Sequence, residues 1–386
     1  MGTLDGLTVI DASWGHAGPM ATGLMADHGA TVVRVEPPGG DPYRDVVARA
    51  AFDRGKESLI LDLRTPDGAA AMVRLLEGAD VFVHSWQPGV AERLGLGYED
   101  LHARSPRLVY CAITGYGLKG ALAGRKGYES LVAARVGTMV AGGQARPVYP
   151  GVPIGGIGAA LLAVIGTMAA LVQREETGAG QLVDTSIYDG ALSFLNMFWE
   201  GLENLPDGAE RPALSPTRRL MVGSMLCGDG EYLGVHTGAA GSYNRLIDAL
   251  GLSDRVPPPP GNREKAVPLT EEEAAVITTE VPKAFASHPR AYWLERLRAY
   301  DVCAIPVLRP GEALSEPQTV HNGVVVELDD PVLGKVAQVG VASRMADPGA
   351  VRGPAPVPGQ DSDAVLARAG YSDADVMRLR DSGVVQ

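Results

Sequence analysis

Apolar positions in the first 200 residues fall into two alternating patterns. LTVIDAS (7–13) and TVVRVE (31–36) are short apolar runs of the kind that form buried strands. Between them WGHAGPMATGLMADHGA carries a helix pattern that ends at Gly29. Strand, helix and strand in so short a span make the βαβ unit of a parallel sheet. The alternation continues with a strand at Leu59-Ile60-Leu61, then a helix capped by Thr65 with Pro66 in its first turn and stopped at Gly78. DVFVHS (80–85) reads as strand, GVAERLG as helix and RLVYCAIT (107–114) as strand. This part of the chain is predicted to be a doubly wound α/β domain.

GVPIGGIGAALLAVIG (151–166) runs on into TMAALVQ without a charge from Val152 to Gln173. Length alone would let it span a bilayer. It is rich in Gly and Ala, however, and leads through REETGAG straight into the strand-like GQLVDTSI. The pattern therefore predicts a buried helix packed closely through small residues.

The character changes near Gly201, where NLPDGAERPALSPTRR is polar and rich in turn formers. MLCGDGEYLGVHTG predicts two short strands around a turn at Asp229-Gly230, and Pro257–Pro260 predicts loop. A helix opens at Thr270 with Glu273 completing a capping box, and AYWLERLRAY puts Trp293, Leu294 and Leu297 on one face. VVVELDDPVLGKVAQVG predicts a hairpin, and a last helix opens at Ser372 with Asp375 in capping position. The division expected is a large α/β domain at 1–205, a small α+β domain at 206–312 and a C-terminal return to the large domain at 313–386.

Charge narrows the functional classes. A net charge of −12 with no long Lys/Arg run argues against a nucleic-acid binder. Cys111, Cys227 and Cys303 are odd in number and far apart, so neither a disulfide framework nor a CxxC site is indicated, and no metal is expected. MGTLDGLTVIDAS has no basic region followed by an apolar run, so no signal peptide is read and a cytoplasmic location is expected.

Candidate chemistry is sparse. Gly115-Tyr116-Gly117-Leu118-Lys119-Gly120 matches GxGxxG after a strand, but no apolar helix begins within it and Arg135 stands where an acid should follow. A glycine-rich loop is the better reading. GxxxxGK[ST], HExxH and GxSxG are all missing. His16 lies after the first strand, where α/β folds bind ligands. GRKGYES (124–130) clusters Arg125, Lys126, Tyr128 and Glu129 after a core strand, offering cations, a phenol and a carboxylate.

Several segments together resemble the family III CoA-transferases, which include formyl-CoA transferase, carnitine-type CoA-transferases and α-methylacyl-CoA racemase. They are LDGLTVIDAS with AGPMATGLMADHGATVVRVEPPGGD, KESLILDLRTPDG, ADVFVHSWQPGVAERLGLGYEDL, PRLVYCAITGYG, TGAGQLVDTSIYDGAL, IPVLRPGEAL and PAPVPGQDSDAVLARAGYSD. The resemblance covers nearly the whole chain. It implies a Rossmann-like large domain built from both chain ends, a small domain between, and a homodimer of interlocked rings. It implies coenzyme A or an acyl-CoA as substrate, with a small carboxylic acid as partner and neither nucleic acid nor membrane. CoA contacts carry over to His16, Ala17, Leu61, Asp62, Leu63, Arg64, Ser85, Trp86, Gln87, Arg93, Lys126 and Gly127. Trp86 suits adenine stacking, and Arg64, Arg93 and Lys126 suit phosphates. Pro37 departs from the basic residue often found after the second strand.

The resemblance fails at the catalytic position. Family transferases attack the thioester with an aspartate in a segment like VPI-x-D. Here that segment is Val152-Pro153-Ile154-Gly155-Gly156, and glycine has no nucleophile. Asp184 and Asp189 match other family positions. The racemase branch needs His where Tyr128 stands and an acid in the Gly156 region, whereas Tyr128-Glu129 follows the transferase pattern. Catalytic candidates are therefore Glu129, Tyr128 and His16. The chemistries left open are CoA transfer by direct attack of the acceptor carboxylate, α-proton chemistry (racemase, isomerase or lyase) and thioester hydrolysis. A non-catalytic CoA-binding subunit paired with an active homologue is the alternative from another class.

Overall fold

The structure, a computed structural model, describes residues 2–43, 47–139, 146–149, 151–195, 218–259, 267–343 and 345–386. Two compact units emerge, Met1–Met197 together with Pro317–Gln386, and Phe198–Glu316.

The first unit contains β1 (Thr8–Ala12), α1 (Ala17–Asp27), β2 (Thr31–Glu36), α2 (Arg49–Phe52), β3 (Glu57–Ile60), α3 (Pro66–Glu77) and β4 (Val81–His84). It continues with α4 (Val90–Arg93), α5 (Tyr98–Arg104), β5 (Val109–Thr114), α6 (Glu129–Val136), α7 (Ile154–Thr177), β6 (Leu182–Ser186) and α8 (Ile187–Leu195). The strands form one six-stranded parallel sheet in the order β3-β2-β1-β4-β5-β6. Successive side chains point to opposite faces, so Ile10, Val33, Phe82 and Tyr110 enter one core while Val9, Val32, Val81 and Val109 enter the other. The expected α/β architecture is what forms, and Thr65 caps α3 by accepting the Gly68 N–H.

α7 is the one helix among the described residues long and apolar enough to cross a membrane. Its inner face packs closely: a Cβ on Gly158 would come 2.5 Å from the Gly190 carbonyl oxygen on α8. The expectation of a buried helix holds for that face only. Leu161, Ile165 and Val172 point outward and are exposed, because α1, β5, β6 and α8 cover a single side of the helix.

The second unit, taken by itself, has β7 (Val222–Leu226), β8 (Tyr232–His236), α9 (Ser242–Ala249), α10 (Glu271–Ala286), α11 (Arg290–Ala299) and β9 (Cys303–Pro306). Its sheet is antiparallel in the order β7-β8-β9. The Thr270–Glu273 capping box is present, and Trp293 and Leu297 are buried while Leu294 packs at the core's edge. Pro257–Pro259 run without helix or strand. Pro260, residues 204–217 and the 205/206 boundary lie outside the described residues.

The first unit resumes with α12 (Pro317–Asn322), the antiparallel hairpin β10 (Val325–Asp330) and β11 (Gly334–Val339), α13 (Ser362–Arg368) and α14 (Asp373–Asp381). Val365, Leu366, Val376 and Leu379 join the core beside β3, and Leu61 bridges to Val385. Ser372 and Asp375 form the expected capping box.

Candidate active site

Strand order reverses between β1 and β4, and in open α/β sheets ligands bind outside the carboxyl ends at such a point. Two loops meet there. The Trp14 N–H donates to Ser85 Oγ at 2.6 Å, tying the turn after β1 to the turn after β4. Beside them opens a cavity of about 740 Å³.

Of the GxGxxG segment only Gly115 lines it. Thr114 Oγ1 accepts the Gly117 N–H at 2.8 Å, and no helix begins until Glu129. A Cβ on Gly127 would lie 2.3 Å from Gly115 Cα, so two bare backbones touch and the loop closes on itself. That closure brings Tyr128 and Glu129 back over the carboxyl end of the sheet. These two glycines serve close approach.

Glu129 opens α6, but its carboxylate serves α7. Oε1 accepts the Gly155 N–H at 2.8 Å and Oε2 accepts the Gly156 N–H at 2.7 Å. The first-turn amides of a helix lack intrahelical partners and carry the positive end of its dipole. Pro153, the N-cap residue, supplies no side-chain cap, so a carboxylate from another helix takes that role. A Cβ built on Gly156 would point into the cavity, 3.2 Å from Glu129 Oε2 and 3.6 Å from His16 Cδ2. The space above Gly156 thus has a carboxylate on one side and an imidazole on the other.

Burial lowers the pKa of His16 and Glu129 opposes that only in part, so the ring is neutral at pH 7. It packs edge-on against Phe52 at 4.7 Å between ring centres. Burial and the Glu129 charge both raise the pKa of Tyr149, a further lining residue.

The deep wall is ionic. Arg34 pairs with Asp11, Asp41 and Asp53, and Lys56 Nζ lies 3.0 Å from both Asp11 Oδ2 and Asp53 Oδ1. Arg34 Nε and Asp53 Oδ2 are 3.3 Å apart, in ion-pair range though off hydrogen-bond alignment. Burial pushes the Asp11 pKa up, but Lys56 and Arg34 outweigh it and hold the carboxyl well below its usual range. Asp41 moves the other way: burial raises it more than Arg34 lowers it.

His16, Ala17, Ser85, Trp86, Gln87, Lys126, Gly127, Tyr128, Glu129 and Gly156 all line the cavity, although they come from four separate segments. Leu61, Asp62, Leu63, Arg64 and Arg93 do not line it. Leu61 is in the core, and Arg64 folds back on Asp62 at 2.8 Å. Trp86 is only 9% exposed and stacks on His84, which occupies one face of the indole. Tyr43, Arg49, Phe52 and Tyr149 also line the cavity and carry no motif that would have drawn attention to them. Asp184 and Asp189 lie elsewhere, bonded to the Leu118 N–H and to Ser186.

Residues 4–362 match the sequence profile of CoA-transferase family III. The chain is 29% identical to succinyl-CoA–D-citramalate CoA-transferase of Chloroflexus aurantiacus, over 99% of this chain and 98% of that one. It is 27% identical to human alpha-methylacyl-CoA racemase, over 99% and 97% of the two chains. A solved CaiB/BaiF family protein from Brucella suis superposes with a TM-score of 0.80 at 27% identity, covering 95% of this chain and 99% of that one. The chain belongs to CoA-transferase family III.

Proposed function

We propose that this family III chain moves coenzyme A between an acyl thioester and a carboxylic acid, with the thioester carbonyl lying over Gly156 between Glu129 and His16. One observation carries the reading: the space above Gly156 opens into a large cavity at the switch point and is bordered by a fixed carboxylate. Arg49, Arg125 and Lys126 line the same cavity and have no carboxylate partner among the described residues, which suits the phosphates of CoA. Trp14, 41% exposed beside Ser85, and one face of Trp86 are the indoles available to adenine.

A second reading, α-proton chemistry, is favoured by His16. A neutral imidazole beside the reacting position is a general base for the carbon next to a thioester, and the imidazolium formed when it takes the α-proton can return that proton. A cytoplasmic, interlocked homodimer is proposed with either reading, the assembly on the strength of the family resemblance alone.

Incubation of the purified protein with acyl-CoA and a panel of carboxylic acids in heavy water, followed by mass spectrometry, tests them together. A new thioester built on the added acid supports transfer, and deuterium at the α-carbon supports the second reading. Acyl-CoA that binds without changing sinks both and favours a non-catalytic subunit.

A further inference from the structure

We infer that Glu129 is the covalent nucleophile of this chain, taking over from the residue at 156 the task of bonding to the acyl group. The inference rests on the transferase reading above and names the residue that performs it.

Three carboxylates line the cavity: Asp41, Asp53 and Glu129. Asp41 is ion-paired with Arg34, and Asp53 with both Arg34 and Lys56. Glu129 has no cation within ion-pair distance among the described residues. Its partners are two backbone amides, each taking one lone pair from one oxygen. Each oxygen therefore keeps a lone pair, and the head group is already fixed in place before substrate arrives.

The position is equally specific. Oε2 is the nearest atom, outside the local chain, to the point where a side chain at 156 would begin. The glycine pair makes this seat possible. A Cβ on Gly155 would lie 2.8 Å from the Ile187 carbonyl oxygen and 3.2 Å from Glu129 Oε1, and one on Gly156 would press equally on Oε2. Two bare α-carbons in the first turn of α7 let the carboxylate settle on the amides and leave its cavity side open.

The step balances without a proton or electron being gained or lost. A lone pair of a Glu129 Oε attacks the thioester carbonyl carbon. The C–S bond breaks and its electron pair leaves on sulfur as the CoA thiolate, giving a glutamyl–acyl anhydride. The thiolate then attacks Glu129 Cδ, and the acyl group departs as its carboxylate, leaving CoA on Glu129 as a thioester. An incoming carboxylate retraces these two steps in reverse order.

Trypsin supplies a clean test, because cleavage after Lys126 and Arg135 releases GYESLVAAR, in which Glu129 is the one acidic side chain. The wild-type protein is mixed with acyl-CoA, quenched into hydroxylamine and digested. The expected result is a hydroxamate on this peptide that depends on acyl-CoA, together with a loss of turnover of about a thousandfold or more in Glu129→Gln at nearly unchanged CoA binding. The mapping uses unmutated protein, so it does not depend on how the variant folds. Turnover without that hydroxamate, or Glu129→Gln within about tenfold of wild type, overturns the nucleophile and leaves transfer by another route standing. If no acid in the panel yields a new thioester, the transferase reading itself falls, whatever the peptide shows. An unmodified peptide from protein with acyl-CoA bound also counts against Glu129.

Discussion

Glu129 Oε2 accepts the backbone N–H of Gly156 at 2.7 Å, joining residues 27 positions apart. A helix start is ordinarily capped by its own preceding Ser, Thr, Asp or Asn. Here the capping group is borrowed from α6, so one carboxylate both holds α7 in place and faces the cavity.

The two glycines under it are expected to respond differently to a methyl group. Gly155→Ala drives a Cβ to 2.8 Å from Ile187 and is expected to destabilise the fold by about 1–3 kcal/mol. Gly156→Ala meets only Glu129 and His16 side-chain atoms at 3.2 Å and beyond, and helix propensity favours Ala by about 1 kcal/mol. It is expected to be stable and to lose about tenfold in turnover, because the methyl fills the acyl position. Urea melts paired with acyl-CoA assays separate the two outcomes.

Lys56 is fully buried and donates to Asp11, Asp53, Thr22 Oγ1 and the Pro19 carbonyl. Lys56→Met fills the volume but leaves Asp11 and Asp53 with less positive charge than their burial requires. A loss of about 3–5 kcal/mol is expected in equilibrium unfolding. A loss under 1 kcal/mol would mean the cluster tolerates a proton in place of the cation.

His84 gives the fold an acid sensitivity. Burial pushes its pKa down from 6.5 to about 3. The unfolded chain therefore takes up this proton first as the pH falls. The stability held in the neutral ring is complete above pH 6.5 and drains away as the pH drops toward 3. Between pH 6.5 and 5 the wild type is expected to lose roughly 2 kcal/mol more than His84→Gln, read from urea midpoints.

Lys126 is exposed on the cavity wall with no carboxylate partner among the described residues. Lys126→Ala is expected to weaken acyl-CoA binding about five- to tenfold in low salt and less at high ionic strength. Calorimetry at two salt concentrations checks this, and an unchanged affinity would remove Lys126 from the phosphate contacts.

Signals that act along one stretch of chain were legible in advance. The 7–13 and 31–36 runs, the Thr65 cap, and the boxes Thr270–Glu273 and Ser372–Asp375 each depend on neighbours a few positions away, and each formed as read. What the sequence hid were meetings at long range. Arg34 and Lys56 look like ordinary surface cations until β1, β2 and the turn at 53–56 bring Asp11 and Asp53 around them. Leu61 sits in a segment singled out for CoA contact, yet its apolar side chain goes to the core beside Val385. Glu129 was recognisable as a candidate, but its attachment to α7 depends on two glycines 26 and 27 positions away. The outward face of α7 was misread because composition reports how apolar a helix is and says nothing of how many neighbours surround it.

The bridge from Leu61 to Val385, with α13 and α14 packed beside β3, has a consequence for biosynthesis. A ribosome delivers β3 more than three hundred residues before the segment that covers it. The parallel sheet must therefore wait half-clothed while Phe198–Glu316, contiguous in the chain, emerges and is free to fold first. During that interval the apolar side chains of α3 and β3 are the surface a chaperone would guard.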